Sequence, residues 1–312
     1  MKTTTIHNTD LHVSMFCFGG AFFGTRDNKE VSYAMLDQFA EAGGNFLDSA
    51  NSYATWIGEG GESETMFGKW MQERGNREHM VVATKMGNAA KDAPASSRPE
   101  DILRECDRSL ARLQTDYLDL YYFHRDDRTV PLEDQLGAMD RLVQSGKVRH
   151  IGASNFKTWR IAEAAGVSEA HDYAAFCCVQ QRYTYLRPRV DANFGGQISC
   201  NDELLDFCAE RDFQLLAYSP LLSGAYTRED RPLDRQYRHL DSDVRKDELF
   251  KVATEIGATP NQLILSWLTG HGIIPTTSAS TREQMSEMLG VADLTLPDEI
   301  LRRLDAAGAE QQ

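Results

Sequence analysis

The sequence predicts an α/β fold: a (β/α)8 TIM barrel with a short N-terminal β-hairpin. Three observations lead there. Apolar positions switch repeatedly between the helical and the strand period, the pattern of stacked βα units around a parallel sheet. Eight short apolar runs stand at 15–18, 46–48, 81–84, 117–123, 148–152, 175–180, 214–219 and 273–276. The length of 312 residues suits one barrel of about 250 residues with insertions, so one domain over 1–312 is expected rather than two.

Taken in order, residues 3–13 read as a hairpin under the barrel, with Asn8-Thr9-Asp10 as its turn. Val31, Met35, Phe39 and Ala40 make one helical face that stops at Gly43-Gly44, ahead of the strand at 45–48. Pro99 sits at a helix start, and Ile102, Leu103, Cys106, Leu110 and Leu113 follow on one face. Leu132, Leu136, Met139 and Val143 mark another helix, closed by Gly146 before the strand at 148–152. Residues 227–248, rich in Asp and Arg, read as a mobile loop on the active-site side after the seventh strand.

Composition narrows the function. No apolar run approaches the ~20 residues of a membrane span, and a net charge of −14 disfavours nucleic acid and anionic membranes as partners. The first residues lack the apolar stretch of a secretion signal, which points to a cytoplasmic location. Cys17, Cys106, Cys177, Cys178, Cys200 and Cys208 have no metal-type spacing and read as small core thiols, so no metal site is expected. Nothing in the sequence marks an oligomeric interface.

The chemistry lies at strand ends. The stretch Asn45-Phe46-Leu47-Asp48-Ser49-Ala50-Asn51-Ser52-Tyr53, then Thr84-Lys85, then Phe123-His124 each close an apolar run, as a barrel enzyme assembles its site. Asp48, Tyr53, Lys85 and His124, in this order, resemble the catalytic tetrad of the aldo-keto reductase superfamily, and the carbonyl reduction this implies leaves charge on oxygen, where a donor must place a proton as the charge forms. Tyr53 can be that acid, with Lys85 as the cation that lowers its pKa, Asp48 as the partner holding Lys85 charged, and His124 orienting the carbonyl. Singly, a Tyr is core, a Lys is solvated and an Asp-Lys is a structural pair; the four in register argue for catalysis.

The resemblance to that superfamily does not stop at the tetrad. Gly152-Ala153-Ser154-Asn155, Val179-Gln180 and Tyr218-Ser219-Pro220-Leu221 are similar to the family's nicotinamide-binding segments, in the same chain order. The resemblance implies that Ser154, Asn155 and Gln180 meet the carboxamide and that Tyr218 stacks on the ring. Ser219, Pro220, Leu221, Ser223 and Gly224 would wrap the pyrophosphate. No GxGxxG fingerprint supports a Rossmann domain; 58–63 instead resembles the family's loop and helix start after the tyrosine.

After the last strand the family reads the 2′-phosphate of NADP. Here Ser278 stands in place of Lys, Gln284 where many members carry Arg, and Met288 replaces Asn beside Glu287, so Arg282, with Ser278 and Ser280, is the expected phosphate contact. NADP is the expected cofactor, with NAD as the alternative. The loop 125–131 and Trp56 should line the mouth, and without a long C-terminal loop after Leu304 the pocket should be open and polar, suiting a carbonyl or sugar substrate. The expected activity is interconversion of an aldehyde, ketone or keto-sugar with its alcohol. Two alternatives are a non-catalytic nicotinamide-binding regulatory protein on the same fold and a Schiff-base lyase using Lys85.

Overall fold

The computed structural model describes residues 1–308. The last four residues, part of the tail after Leu304, lie outside the described residues. Strands β1 (Thr3–Thr5) and β2 (His12–Ser14) pair antiparallel, Thr3 opposite Ser14 and Thr5 opposite His12. Asn8 takes a positive φ of 58° in their turn. Ile6, Leu11 and Val13 of this hairpin are fully buried in one cluster with Phe46, Leu120 and Leu216 from the strands behind it. The hairpin therefore plugs the bottom of the barrel, as the alternation of 3–13 suggested.

The remaining elements alternate strand with helix as far as α7: β3 (Cys17–Gly19), α1 (Lys29–Glu41), β4 (Phe46–Asp48), α2 (Glu62–Arg74), β5 (Val81–Met86), α3 (Pro99–Leu113), β6 (Leu118–Phe123) and α4 (Leu132–Gln144). Then come β7 (Val148–Ser154), α5 (Thr158–His171), β8 (Phe176–Arg182), α6 (Asp202–Glu210), β9 (Gln214–Tyr218), α7 (Leu240–Ile256), α8 (Pro260–Gly270), β10 (Ile274–Thr277), α9 (Arg282–Leu289) and α10 (Asp298–Ala306). Strands β3 to β10 are all parallel and close in the order β10-β3-β4-β5-β6-β7-β8-β9. Each of the eight predicted runs is a barrel strand. They read as continuous apolar stretches because helices cover one side and the packed interior the other, leaving β5, β6 and β8 buried along their whole length.

Local signals set the helix ends. The Asn28 side chain accepts from Val31 N at 3.0 Å to start α1, and Pro99 opens α3. Thr259 and Gln262 form a reciprocal capping box on α8. Two glycines are required by close approach. A Cβ on Gly152 would stand 2.7 Å from the Tyr122 ring, beside the register shift that re-aims the end of β7. A Cβ on Gly68 would stand 2.4 Å from the Arg112 carbonyl oxygen, where α2 crosses α3.

The stretch 227–248 departs from its expectation as a loop, because α7 begins at Leu240. Its buried positions include Ser242 and Arg245 as well as Leu249, Val252 and Ala253, so its inward face reads as polar. Arg245 replaces an apolar knob by donating to Tyr185 O at 3.0 Å and Ala307 O at 2.8 Å. All six cysteines are buried thiols, as their scatter suggested. Among the described residues no helix is long and apolar enough to cross a membrane.

Gly68→Ala should destabilise the protein by about 1–3 kcal/mol, because the colliding atoms are backbone and cannot turn aside. Thermal or denaturant unfolding checks this; an unchanged midpoint would mean that α2 and α3 can separate without cost.

Candidate active site

The carboxyl ends of the strands open into one cleft of about 1440 Å³, lined from every strand's following loop. Asp48 closes β4, Lys85 is the fifth residue of β5, and His124 follows β6 directly. Tyr53 sits in a compact turn after β4. That turn is tied to the neighbouring strand by Ser49 N donating to Ala83 O at 2.9 Å and Asn51 N to Lys85 O at 3.0 Å. The backbone thus brings together four side chains spread over 77 positions (48 to 124).

Lys85 and Asp48 are both fully buried. Lys85 Nζ donates to Asp48 Oδ1 and Oδ2 at 2.7 and 2.6 Å, to Ser49 O at 2.9 Å and to Tyr53 Oη at 2.6 Å. The Tyr53 hydroxyl donates to Asp48 Oδ2 at 2.6 Å, and Gln180 Nε2 donates to Asp48 Oδ1 at 3.0 Å. Burial pulls the Lys85 ammonium below its ordinary pKa, while Asp48 works to restore it. A lysine with no exposed side-chain surface and every proton engaged is a poor Schiff-base nucleophile.

The Tyr53 phenol corrects one expectation. Its pKa stands well above the ordinary tyrosine value, raised first by burial and then by the Asp48 carboxylate. Lys85 does not prevail because its charge is shared with Asp48, so the pair as a whole offers little net positive charge to the phenol. The phenol is a held proton and not a near-phenolate. His124 lies edge-on to Tyr53 with ring centroids 5.8 Å apart, and its Nδ1 is 3.4 Å from Ser52 Oγ. Burial, helped by Lys85, pulls its pKa down to about 3, which leaves a neutral imidazole to meet a carbonyl.

Beside the tetrad, Ser154, Asn155, Gln180 and Tyr218 line the cleft together. Asn155 takes a positive φ of 58° and is saturated: Nδ2 donates to His124 O at 3.0 Å and Ser154 Oγ at 3.1 Å, while Oδ1 accepts from Ile198 N at 3.0 Å and Tyr218 Oη at 2.7 Å. The Tyr218 ring is thereby fixed at the end of β9 with one side on the cleft. Ser219, Leu222, Ser223 and Gly224 all have positive φ, folding the next turn tightly along the cleft, where Ser219, Pro220, Leu221, Ser223 and Gly224 form its wall. A flat aromatic face, hydroxyl and amide groups and a tight backbone turn suit a nicotinamide dinucleotide.

Around β10, Ser278, Ser280, Gln284 and Glu287 line the cleft, but Arg282 does not. It is exposed at the first position of α9, and its charge reaches the Asp37 carboxyl of α1, which is held down first by Arg74 and more weakly by Arg282. Gln284 Oε1 accepts from Ser280 N at 2.9 Å, and Glu287 accepts from Thr259 Oγ1 at 2.6 Å. The cation in the wall here is Arg26, from the loop after β3. It bonds Asp27 at 3.0 and 3.1 Å, donates to Ser280 Oγ, and stacks 3.7 Å above the Phe22 ring. Sequence reasoning missed Arg26, which carries no motif, and the long β8–α6 loop, from which Arg189, Asn193 and Gln197 line the mouth. Trp56, 66% exposed, meets the Phe22 ring edge-on at 5.9 Å and forms part of the mouth, together with Arg125, Asp126 and Arg128 from the loop expected there.

Comparison with known proteins agrees with this geometry. The family model described as Aldo/keto reductase family matches residues 16–309. An uncharacterized oxidoreductase, YrpG, of Bacillus subtilis (strain 168) is 28% identical over 98% of this chain and 95% of its own length. The aldo-keto reductase yakc [NADP(+)] of Schizosaccharomyces pombe is 28% identical over 93% of this chain and 86% of its own. A crystal structure of the thermostable aldo-keto reductase Tm1743 with the inhibitor epalrestat superposes with a TM-score of 0.77 at 25% identity, covering 98% of this chain and 99% of that one. The fold and its family place the chain among oxidoreductases that use a nicotinamide cofactor on small molecules. The chain belongs to the aldo/keto reductase family.

His124 makes a prediction about stability. Its folded pKa lies below the unfolded value of about 6.5, so the unfolded state binds the proton first. The stability it contributes is fully present above about pH 6.5 and is lost as pH falls towards about 3. Between pH 7.5 and 5, wild type should therefore lose about 1–2 kcal/mol more than His124→Gln in denaturant titrations. Equal losses in the two proteins would show that His124 charges freely in the folded state.

Proposed function

We propose that this protein is an NADP-dependent carbonyl reductase, converting an aldehyde, ketone or keto-sugar to its alcohol with Tyr53 as the proton donor. The observation that carries the reading is Tyr53 Oη, at 2.6 Å from both Lys85 Nζ and Asp48 Oδ2 and opening onto the cleft. Bound NADPH would supply the hydride. His124 and Tyr53 would hold the carbonyl oxygen, and the Tyr53 proton would turn from Asp48 to that oxygen as charge grows there. Lys85 would then stabilise the phenolate left behind, with its own position fixed by Asp48. Ser154 and Gln180 would meet the nicotinamide carboxamide and Tyr218 would stack on the ring, whereas Asn155, expected from the sequence to meet the carboxamide, has its amide committed and would act by holding Tyr218.

The preference for NADP rests on Arg26 with Ser278 and Ser280. Arg26 lines the cleft already bonded to Ser280, and Arg282 does not line it. A guanidinium pre-stacked and pre-bonded loses little freedom when it takes a phosphate. The six buried thiols support a reducing compartment such as the cytoplasm, and residues 1–312 are read as one barrel domain.

Tyr53→Phe should lower turnover of a carbonyl substrate at least ~100-fold while NADPH affinity stays within about twofold, the scale of losing a general acid. Wild-type turnover in that variant would remove Tyr53 as donor, and binding without turnover in the wild type would favour a regulatory protein. Fluorescence titration checks the cofactor reading: Arg26→Gln should weaken NADPH about tenfold and leave NADH unchanged, whereas Arg282→Ala should leave both within about twofold. A loss confined to Arg282→Ala would return the phosphate contact to α9.

A further inference from the structure

We infer that the substrate is an anionic carbonyl compound, one that carries a carboxylate or phosphate beside the group reduced, and that Arg125 and Lys157 receive that anion. The inference rests on the reductase reading above and adds the class of substrate.

The argument starts from the order of loops around the mouth. Apart from Arg26 after β3, the residues placed for the cofactor come from the ends of β7 to β10, which leaves the loops after β4 to β6, and the near edge of the β7 loop, for substrate. Along that side and the facing β8–α6 loop, Arg125, Arg128, Lys157 and Arg189 line the cleft against a single carboxylate, Asp126. The whole chain has a net charge of −14, so this local excess of positive charge runs against the composition.

Most of the basic groups in this protein are matched. Arg128 pairs with Asp126 at 2.8 Å and Arg189 with Asp191 at 2.8 Å. Asp126, whose side chain is 6% exposed, also takes Arg160 at 3.2 Å, so its charge is already divided between two guanidiniums. Arg125 and Lys157 differ: among the described residues neither side chain has a hydrogen bond or a carboxylate within 4.0 Å. The carboxylate nearest in sequence to Arg125 beyond Asp126 is Asp127, which is buried and bound by Ser97 N at 2.9 Å and Thr129 Oγ1 at 2.6 Å.

An exposed lone cation is ordinarily a solvated one. These two are placed differently, because Arg125 follows His124 in the chain and Lys157 stands two residues after Asn155, both on the wall of the same cleft. A carbonyl held by Tyr53 and His124 would place its own anionic group within reach of the loops after β6 and β7. Planar guanidinium and flexible ammonium together accept carboxylate or phosphate, so the two sources must be separated by experiment.

The test compares 4-carboxybenzaldehyde and 4-formylphenyl phosphate with the neutral methyl 4-formylbenzoate, using NADPH and the full chain. The charged aldehydes should be reduced with kcat/KM about tenfold above the neutral ester, and the advantage should shrink with added salt. Arg125→Ala and Lys157→Ala should each raise KM for the charged aldehydes about tenfold and leave the ester and NADPH affinity unchanged, with Arg125→Lys restoring part of the loss. Whichever charged aldehyde responds identifies the anion. Equal or better reduction of the ester, or variants that shift all three aldehydes alike, would overturn the inference. Terephthalate binding to the enzyme with NADPH gives a readout without turnover. Binding lost in the double variant supports the anion site even if no aldehyde is reduced, a result that would sink the reductase reading alone; absence of binding in wild type overturns the inference.

Discussion

The Lys85–Asp48 ion pair is the constraint on which the rest of the site depends. Both side chains are fully buried. Removing two charges from water costs several kcal/mol each, and attraction alone offsets this only when the remaining lone pairs and protons are also engaged. Here they are: Asp48 accepts from Lys85, Tyr53 and Gln180, and the Lys85 protons are divided among Asp48, Ser49 and Tyr53. Those partners come from β4, β5, β8 and the turn after β4. The pair therefore fixes where strands of the barrel end and how the Tyr53 turn folds back, and loss of either ion would leave the other buried without compensation.

From that pair the protonation of the site follows. A neutral ion pair beneath the phenol does not draw it towards ionisation as a lone ammonium would, and burial raises it further. The same burial keeps His124 uncharged. The mouth of the cleft thus presents a protonated phenol and a neutral imidazole over the pH range in which most proteins are stable. The Tyr53 proton rests on Asp48 Oδ2, so the hydroxyl can stay donor-ready without an orphaned proton facing the cleft.

Much of this was legible in the sequence, and the parts that were not share a cause. Strand runs such as 81–84 and 117–123 read clearly because both faces are buried, and Asp48, Tyr53, Lys85 and His124 could be placed together because each lies at or just past a strand end. The helix α7 was hidden because polar residues enter its inward face: Arg245 satisfies backbone carbonyls and Ser242 bonds the His239 ring instead of packing apolar atoms. Arg26 and Arg282 could not be told apart from sequence, since facing into or away from the cleft is decided by a stack on Phe22 and a bond to Ser280. The pKa of Tyr53 was misjudged for a related reason: residue identity gives the sign of one neighbour, whereas the direction here follows from burial and then from the Asp48 carboxylate that takes the phenol's hydrogen bond.

A parallel barrel makes loop order around the mouth equal to chain order, and this separates tasks along the sequence. Under the proposed function the chemistry hangs on β4 to β6, and the nicotinamide dinucleotide is matched by groups after β7 to β10 together with Arg26 after β3. Between them, the loops after β6 and β7 carry residues that touch neither the ion pair nor the turn after β9. Arg125 and Lys157 lie there, and their replacement alters no hydrogen bond within the tetrad. Substrate choice can therefore change on these loops while the costly buried pair is left intact. The exposed cations of the mouth, unlike the enclosed ones of the core, are the part of the site that is free to vary without loss of the fold.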